Sequence, residues 1–129
     1  YPLQILKYLQ ALFIYYRSTS NTIEIEFSSG AFYQHLLTDS TIPTKVSVKY
    51  KENDTNIYIN GFLVHTMTSV SMPVGLSQLD FYNNNTQYFY GKTKQIQYYN
   101  SALTDSELEQ LTSWTSFTDM AQAQKYSIK

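Results

Sequence analysis

Residues 45–64 read K-V-S-V-K-Y-K-E-N-D-T-N-I-Y-I-N-G-F-L-V, and this stretch decides the fold class. In Lys45–Lys51, Val46, Val48 and Tyr50 fall on one side, and Lys45, Ser47, Lys49 and Lys51 on the other. Period-two alternation of this kind predicts an antiparallel strand with a core face and a wet face. After a polar turn, Asn60-Gly61 stands between Ile57-Tyr58-Ile59 and Phe62-Leu63-Val64. Asn-Gly between β-rich runs predicts a two-residue hairpin, because both central residues of a type I′ turn need positive φ. That loop pairs Ile59 with Phe62 and Ile57 with Val64 on one face, and Tyr58 with Leu63 and Asn56 with His65 on the other.

Working outward, Thr22–Phe27 (T-I-E-I-E-F) alternates with Ile23, Ile25 and Phe27 on one face and Glu24 and Glu26 on the other. Ser28-Ser29-Gly30 breaks it, and a strand over Ala31–Thr38 completes a hairpin before the Pro43 loop. Residues 1–16 carry apolar positions at helical spacing, but Leu12–Arg17 is also a short β-rich run and is read as a strand, with a turn over Ser18–Asn21. Downstream, Ser77–Tyr82 and Tyr88–Asn100 are read as strands around the polar run Asn83–Gln87. A β-bulge near Lys94-Gln95 reconciles the slipped alternation of the second.

The run Gly91–Thr112 (G-K-T-K-Q-I-Q-Y-Y-N-S-A-L-T-D-S-E-L-E-Q-L-T) ends in a short capped helix. Thr104 is the expected N-cap and Glu107, three residues on, completes a capping box, with Leu103 and Leu108 placed as a hydrophobic staple. Asp105 and Glu107 suit the positive end of the helix dipole, and Leu108 and Leu111 form its apolar edge. This run resembles the final strand and closing helix of concanavalin A-like lectin/glucanase domains. That group includes laminin G-like and pentraxin-like jelly rolls and many bacteriophage tail and virion proteins. The family usually has an aliphatic residue where this chain has Thr93. The resemblance spans about residues 20–112 and implies an all-β, antiparallel jelly-roll sandwich with a short C-terminal helix. Family domains are longer on the N-terminal side, so the expectation is either a compact version of the fold or one whose upstream strands are missing, with another chain or segment completing the sheets. The expected organisation is a sandwich domain over 1–112 and a helical or extended tail over 113–129.

With 129 residues the chain suits one domain. Nine basic against ten acidic residues give no basic excess of the kind a nucleic-acid groove needs. No apolar run reaches transmembrane length, so membrane insertion is not expected. There is no cysteine, which removes disulfides and thiolate metal sites. Thirteen tyrosines, with many Asn and Gln, suit contact with sugar or protein, since Tyr joins a flat apolar face to a polar tip. Tyr is also simply a good strand residue.

The binding candidates cluster at Tyr82, Asn83, Asn84, Asn85, Gln87, Tyr88 and Tyr90, where amides and aromatic faces supply the stacking and directional hydrogen bonds that sugars use. The bland alternative is a solvent loop flanked by core tyrosines. Glu24 and Glu26 share a strand face about 7 Å apart and match the first two acids of the laminarinase-type motif. Ser28 or Ser29 stands where its acid/base Glu belongs, however, so a solvated strand face is the expected reading and no catalytic residue is assigned. His35 and His65 lie in separate strands and are read as sheet residues. No metal site and no cofactor are assigned; calcium, which seeks oxygen ligands, would find Asp54 with Asn53 or Asp80 with Asn83. Trp114 is read as packing at the end of the sandwich.

The function expected from these features is non-catalytic carbohydrate binding or adhesion, with a glycan as partner, on a virion or cell surface. A bacteriophage tail protein attaching to its host is the nearest likeness. The alternative is a structural assembly module that binds protein, as a homo-oligomer or part of a larger assembly. A glycoside hydrolase ranks third.

Overall fold

A computed structural model of the chain describes residues 11–17, 21–39, 41–83, 87–88 and 92–114. It is an all-β sandwich with one short helix. The first sheet is β1 (Leu12–Tyr16), β2 (Thr22–Phe27) and β3 (Phe32–Leu36), antiparallel in that order. The second is β4 (Val46–Lys49), β5 (Thr55–Ile59) and β6 (Phe62–Met67), also antiparallel in that order. A two-stranded hairpin, β7 (Tyr82–Asn83) and β8 (Gln87–Tyr88), and the helix α1 (Asp105–Thr112) follow.

The alternation in the sequence becomes the core. Ile23, Ile25, Phe27 and Leu37 from the first sheet pack with Ile57 and Ile59 from the second. Phe27, Ile25 and Ile57 are fully buried, each stabilising the fold by about 1.5–3 kcal/mol through removal from water. The sheets end on a common side at β3 and β6, where the Tyr33 and His65 rings stack with centroids 4.4 Å apart.

The Asn60-Gly61 turn forms as expected, with φ of 51° and 87°. A Cβ on Gly61 would stand 2.7 Å from the Ser113 hydroxyl, so close approach demands glycine there as well as backbone conformation. The register beyond the turn differs from the expectation. Ile59 pairs with Phe62 and Tyr58 with Leu63, but a bulge then sets Ile57 opposite His65 and Asn56 opposite Thr66. Val64 is the extra residue and still packs against the core, while the bulge sets His65 opposite Ile57 and against the Tyr33 ring.

Three further expectations are corrected. Residues 92–99 and 77–80 are not strands, and Lys92–Ala102 is exposed throughout. Thr93 breaks the alternation a half-buried strand requires, and the sole described anchor between the two sheets and this segment is the Tyr50 hydroxyl donating to the Tyr98 hydroxyl at 3.1 Å. The bulge expected near Lys94-Gln95 therefore falls in irregular chain. Second, the face of β4 bearing Ser47 and Lys49 is not wet. The helix covers it, and the Lys49 side chain is only 9% exposed. Third, α1 buries Leu108 and Thr112, while Leu111 is 38% exposed; positions four apart, not three, meet the sheet. The capping box itself is complete: the Thr104 hydroxyl accepts from the Glu107 N–H and the Glu107 carboxylate from the Thr104 N–H. The second helix expected near Ser116–Asp119 lies outside the described residues.

Candidate functional site

The glycan-binding residues expected from sequence map to the β7–β8 hairpin. Its register sets Tyr82 opposite Tyr88 and Asn83 opposite Gln87, so like residues share a rung. Asn84, Asn85 and Tyr90 lie outside the described residues.

A second polar cluster stands on the outer face of the first sheet. The pairing of β1 with β2 sets Tyr15 opposite Glu24, and β3 adds Gln34 to the row. Glu24 is 5% exposed, so the expected solvated strand face is corrected at this residue. Its carboxylate accepts from the Tyr15 hydroxyl at 2.6 Å, the Gln34 amide at 2.7 Å and the Arg17 guanidinium. Tyr15 also reaches Glu26, at 3.0 Å. Burial alone would raise the Glu24 pKa. The bonds from Tyr15, Arg17 and Gln34 outweigh it and hold the carboxyl below its ordinary value. The same surroundings push the Tyr15 hydroxyl far up: burial first, then its bonds to Glu24 and Glu26. A carboxylate saturated by three donors and kept ionised is a poor general acid. The cluster is built to hold three strands together.

The two histidines come together although they lie on separate strands. The Tyr33 hydroxyl is 2.9 Å from His35 Nδ1 while its ring stacks on His65, and burial draws the His35 pKa down. On either side of this trio the seam between β3 and β6 is hollowed. One hollow, of about 320 Å³, is bordered by Gly30, Ala31, Phe32, His65 and Met67. The other, of about 430 Å³, is bordered by His35, Leu36, Ile42, Asn60, Phe62 and Val64.

Both aspartates singled out for calcium have other partners. Asp54 is held by the Lys49 ammonium at 2.7 Å, and this bond keeps its carboxyl below the usual range. Asp80 accepts from the Gln78 amide through both oxygens, at 2.9 Å each. Among the described residues no three His, Asp or Glu side chains gather as a metal site. Trp114 packs at the β5–β6 turn, its Nε1 donating to the Asn60 side-chain oxygen at 3.3 Å and its ring lying 4.2 Å from the Lys45 ammonium.

The Tyr15–Glu24–Gln34 row was missed by sequence reasoning, though the signal was there. Strands over 12–17 and 22–27 joined by a four-residue turn fix Arg17 opposite Thr22, and hence Tyr15 opposite Glu24.

No family model matches the chain, and no curated protein matches it. Among solved structures it is similar to residues 221–444 of an S-layer domain-containing protein from Clostridium thermocellum ATCC 27405. The identity is 17% and the TM-score 0.45, over 81% of this chain and 63% of that one.

Proposed function

We propose that the chain is a non-catalytic carbohydrate-recognition or adhesion module of a virion or cell-surface protein. The observation that carries this reading is the β7–β8 hairpin register, which sets tyrosine opposite tyrosine and amide opposite amide. A rung of this kind pairs aromatic residues next to residues that carry hydrogen-bonding amides, the mixture that sugar recognition uses. The concanavalin A-like resemblance and the saturated Glu24 carboxylate support binding over hydrolysis. Among the described residues no helix is long and apolar enough to cross a membrane.

A glycan array probed with the purified chain, with and without added calcium, tests the proposal. Selective binding that falls at least about tenfold with Tyr88→Ala, each tenfold being 1.4 kcal/mol, supports it. No binding by folded chain overturns it. A second reading, a structural assembly module, is favoured by one specific feature: three-stranded sheets whose β3 and β6 edges end together with apolar side chains exposed.

A further inference from the structure

The geometry points to the β3 edge as a self-pairing interface, through which two copies of this chain join their first sheets into one six-stranded sheet about a two-fold axis. This rests on the assembly reading and is independent of glycan recognition.

The backbone supplies the first argument. The Phe27 N–H donates to the Ala31 carbonyl and the Leu37 N–H to the Asn21 carbonyl, so the odd-numbered residues of β3 bond inward to β2. Strand alternation then turns the N–H and C=O groups of Phe32, Gln34 and Leu36 outward. Among the described residues no backbone hydrogen bond beyond the β2 ladder takes up these groups, and an open edge of this kind is a template for another strand.

The sequence of the edge supplies the second. An antiparallel copy centred on Gln34 sets Gln34 opposite its own twin, Phe32 opposite the twin's Leu36, and Leu36 opposite the twin's Phe32. The outward backbone groups then all fall in hydrogen-bonded pairs, and the cross-strand contacts are apolar on apolar. Self-pairing sets the strand against an identical one, so a strand carrying charge of one sign would repel itself; β3 (F-Y-Q-H-L) carries no acid, Lys or Arg. The β4 edge differs. It carries Lys49 and is flanked by Pro43, Lys45 and Lys51, the residues with which edges are kept apart.

The third argument is area. Because β6 ends beside β3, with Phe62 at the Leu36 end and Met67 at the Phe32 end, the axis also brings Phe62 toward the far end of the twin's β6. Phe32, Leu36 and Phe62 are 56%, 72% and 73% exposed, which amounts to about 400 Å² of apolar side chain per copy on typical side-chain areas. With the paired backbone added, two copies approach the ~1,000 Å² that a specific interface needs. The expected product is a modest, concentration-dependent dimer.

Sedimentation equilibrium of the full chain over a range of concentrations tests this, with three variants beside the wild type. Leu36→Lys places like charges near the axis. Leu36→Pro removes an outward N–H that bonds nothing inside the monomer, a placement that edge strands tolerate. Leu79→Lys changes an equally exposed apolar residue, 67% exposed, away from the edge. The expected result is a wild-type dimer weakened on the order of tenfold or more by Leu36→Lys, abolished by Leu36→Pro and unaffected by Leu79→Lys. A wild-type monomer at every concentration overturns the proposal, as does a dimer that survives both Leu36 variants or dissolves equally with Leu79→Lys. Circular dichroism of each variant identifies any that fail to fold. If Leu36→Pro is one of them, Leu36→Lys decides alone.

Discussion

The two sheets are built alike, yet their outer faces are closed in opposite ways. Each sheet has three antiparallel strands, and each turns its aliphatic side chains toward a shared core. The outer face of the second sheet is roofed by α1. Asn56 donates to Asp105 at 2.7 Å, the Thr112 hydroxyl accepts from the Gly61 N–H at 3.1 Å, and Lys45 donates to the Ser113 carbonyl at 2.9 Å. The outer face of the first sheet has no such roof among the described residues, and Glu24 is shielded by the side chains of its own neighbours. A polar residue on a strand can thus be buried from above by another element or from the sides by its own row. The first route depends on remote sequence, the second on register alone.

The deepest way to break this comparison is to remove what the faces share. Phe27→Ala is expected to cost about 3–5 kcal/mol and to melt both sheets in one transition. Far-UV circular dichroism and tyrosine fluorescence should give coincident curves; separate transitions would show two independent cores.

The roofed face is attacked at Gly61. Gly61→Ala forces a side chain into positive φ and against Ser113, at an expected cost of about 2 kcal/mol. Hydrogen exchange should open first in α1 and β5, leaving β2 protected.

The self-closed face is attacked at Glu24. Glu24→Gln keeps the shape but removes the charge on which Arg17 and Tyr15 converge, at an expected cost of about 1–2 kcal/mol. Because the folded carboxyl sits below its ordinary 4.5, it contributes stability above that pH and loses it as pH falls through the folded value. Wild-type unfolding in denaturant should therefore weaken on acidification below about pH 4.5, and Glu24→Gln should flatten that dependence. An unchanged slope would remove Glu24 as its source.

The smallest effect is expected at Lys49→Met. The ammonium is buried, but its partners Asp54 and Asp105 are 48% and 63% exposed, so water screens the pairs. The change should be under about 1 kcal/mol and should shrink further in high salt, as thermal melts at two ionic strengths would show.

Much of this was legible in the sequence. Alternation at Thr22–Phe27 and Val46–Lys49 gave the core faces, Asn60-Gly61 gave its turn, and Thr104 with Glu107 gave the helix start, because each depends only on neighbours in the chain. The candidate sugar residues were legible as composition, and the Tyr82–Tyr88 rung became visible only through pairing. Over 12–67 the chain by itself determined which runs become strands and which side chains of β2 and β4 alternate toward the core, and over 104–107 how α1 is capped, since these follow from backbone sterics and local hydrogen bonds. Tertiary structure decided the bulge at Val64, the meeting of His35 and His65 on Tyr33, the choice of Leu108 and Thr112 over Leu111, and the covering of Lys49. Each of these depends on which distant surface arrives to exclude water, and no local pattern encodes that.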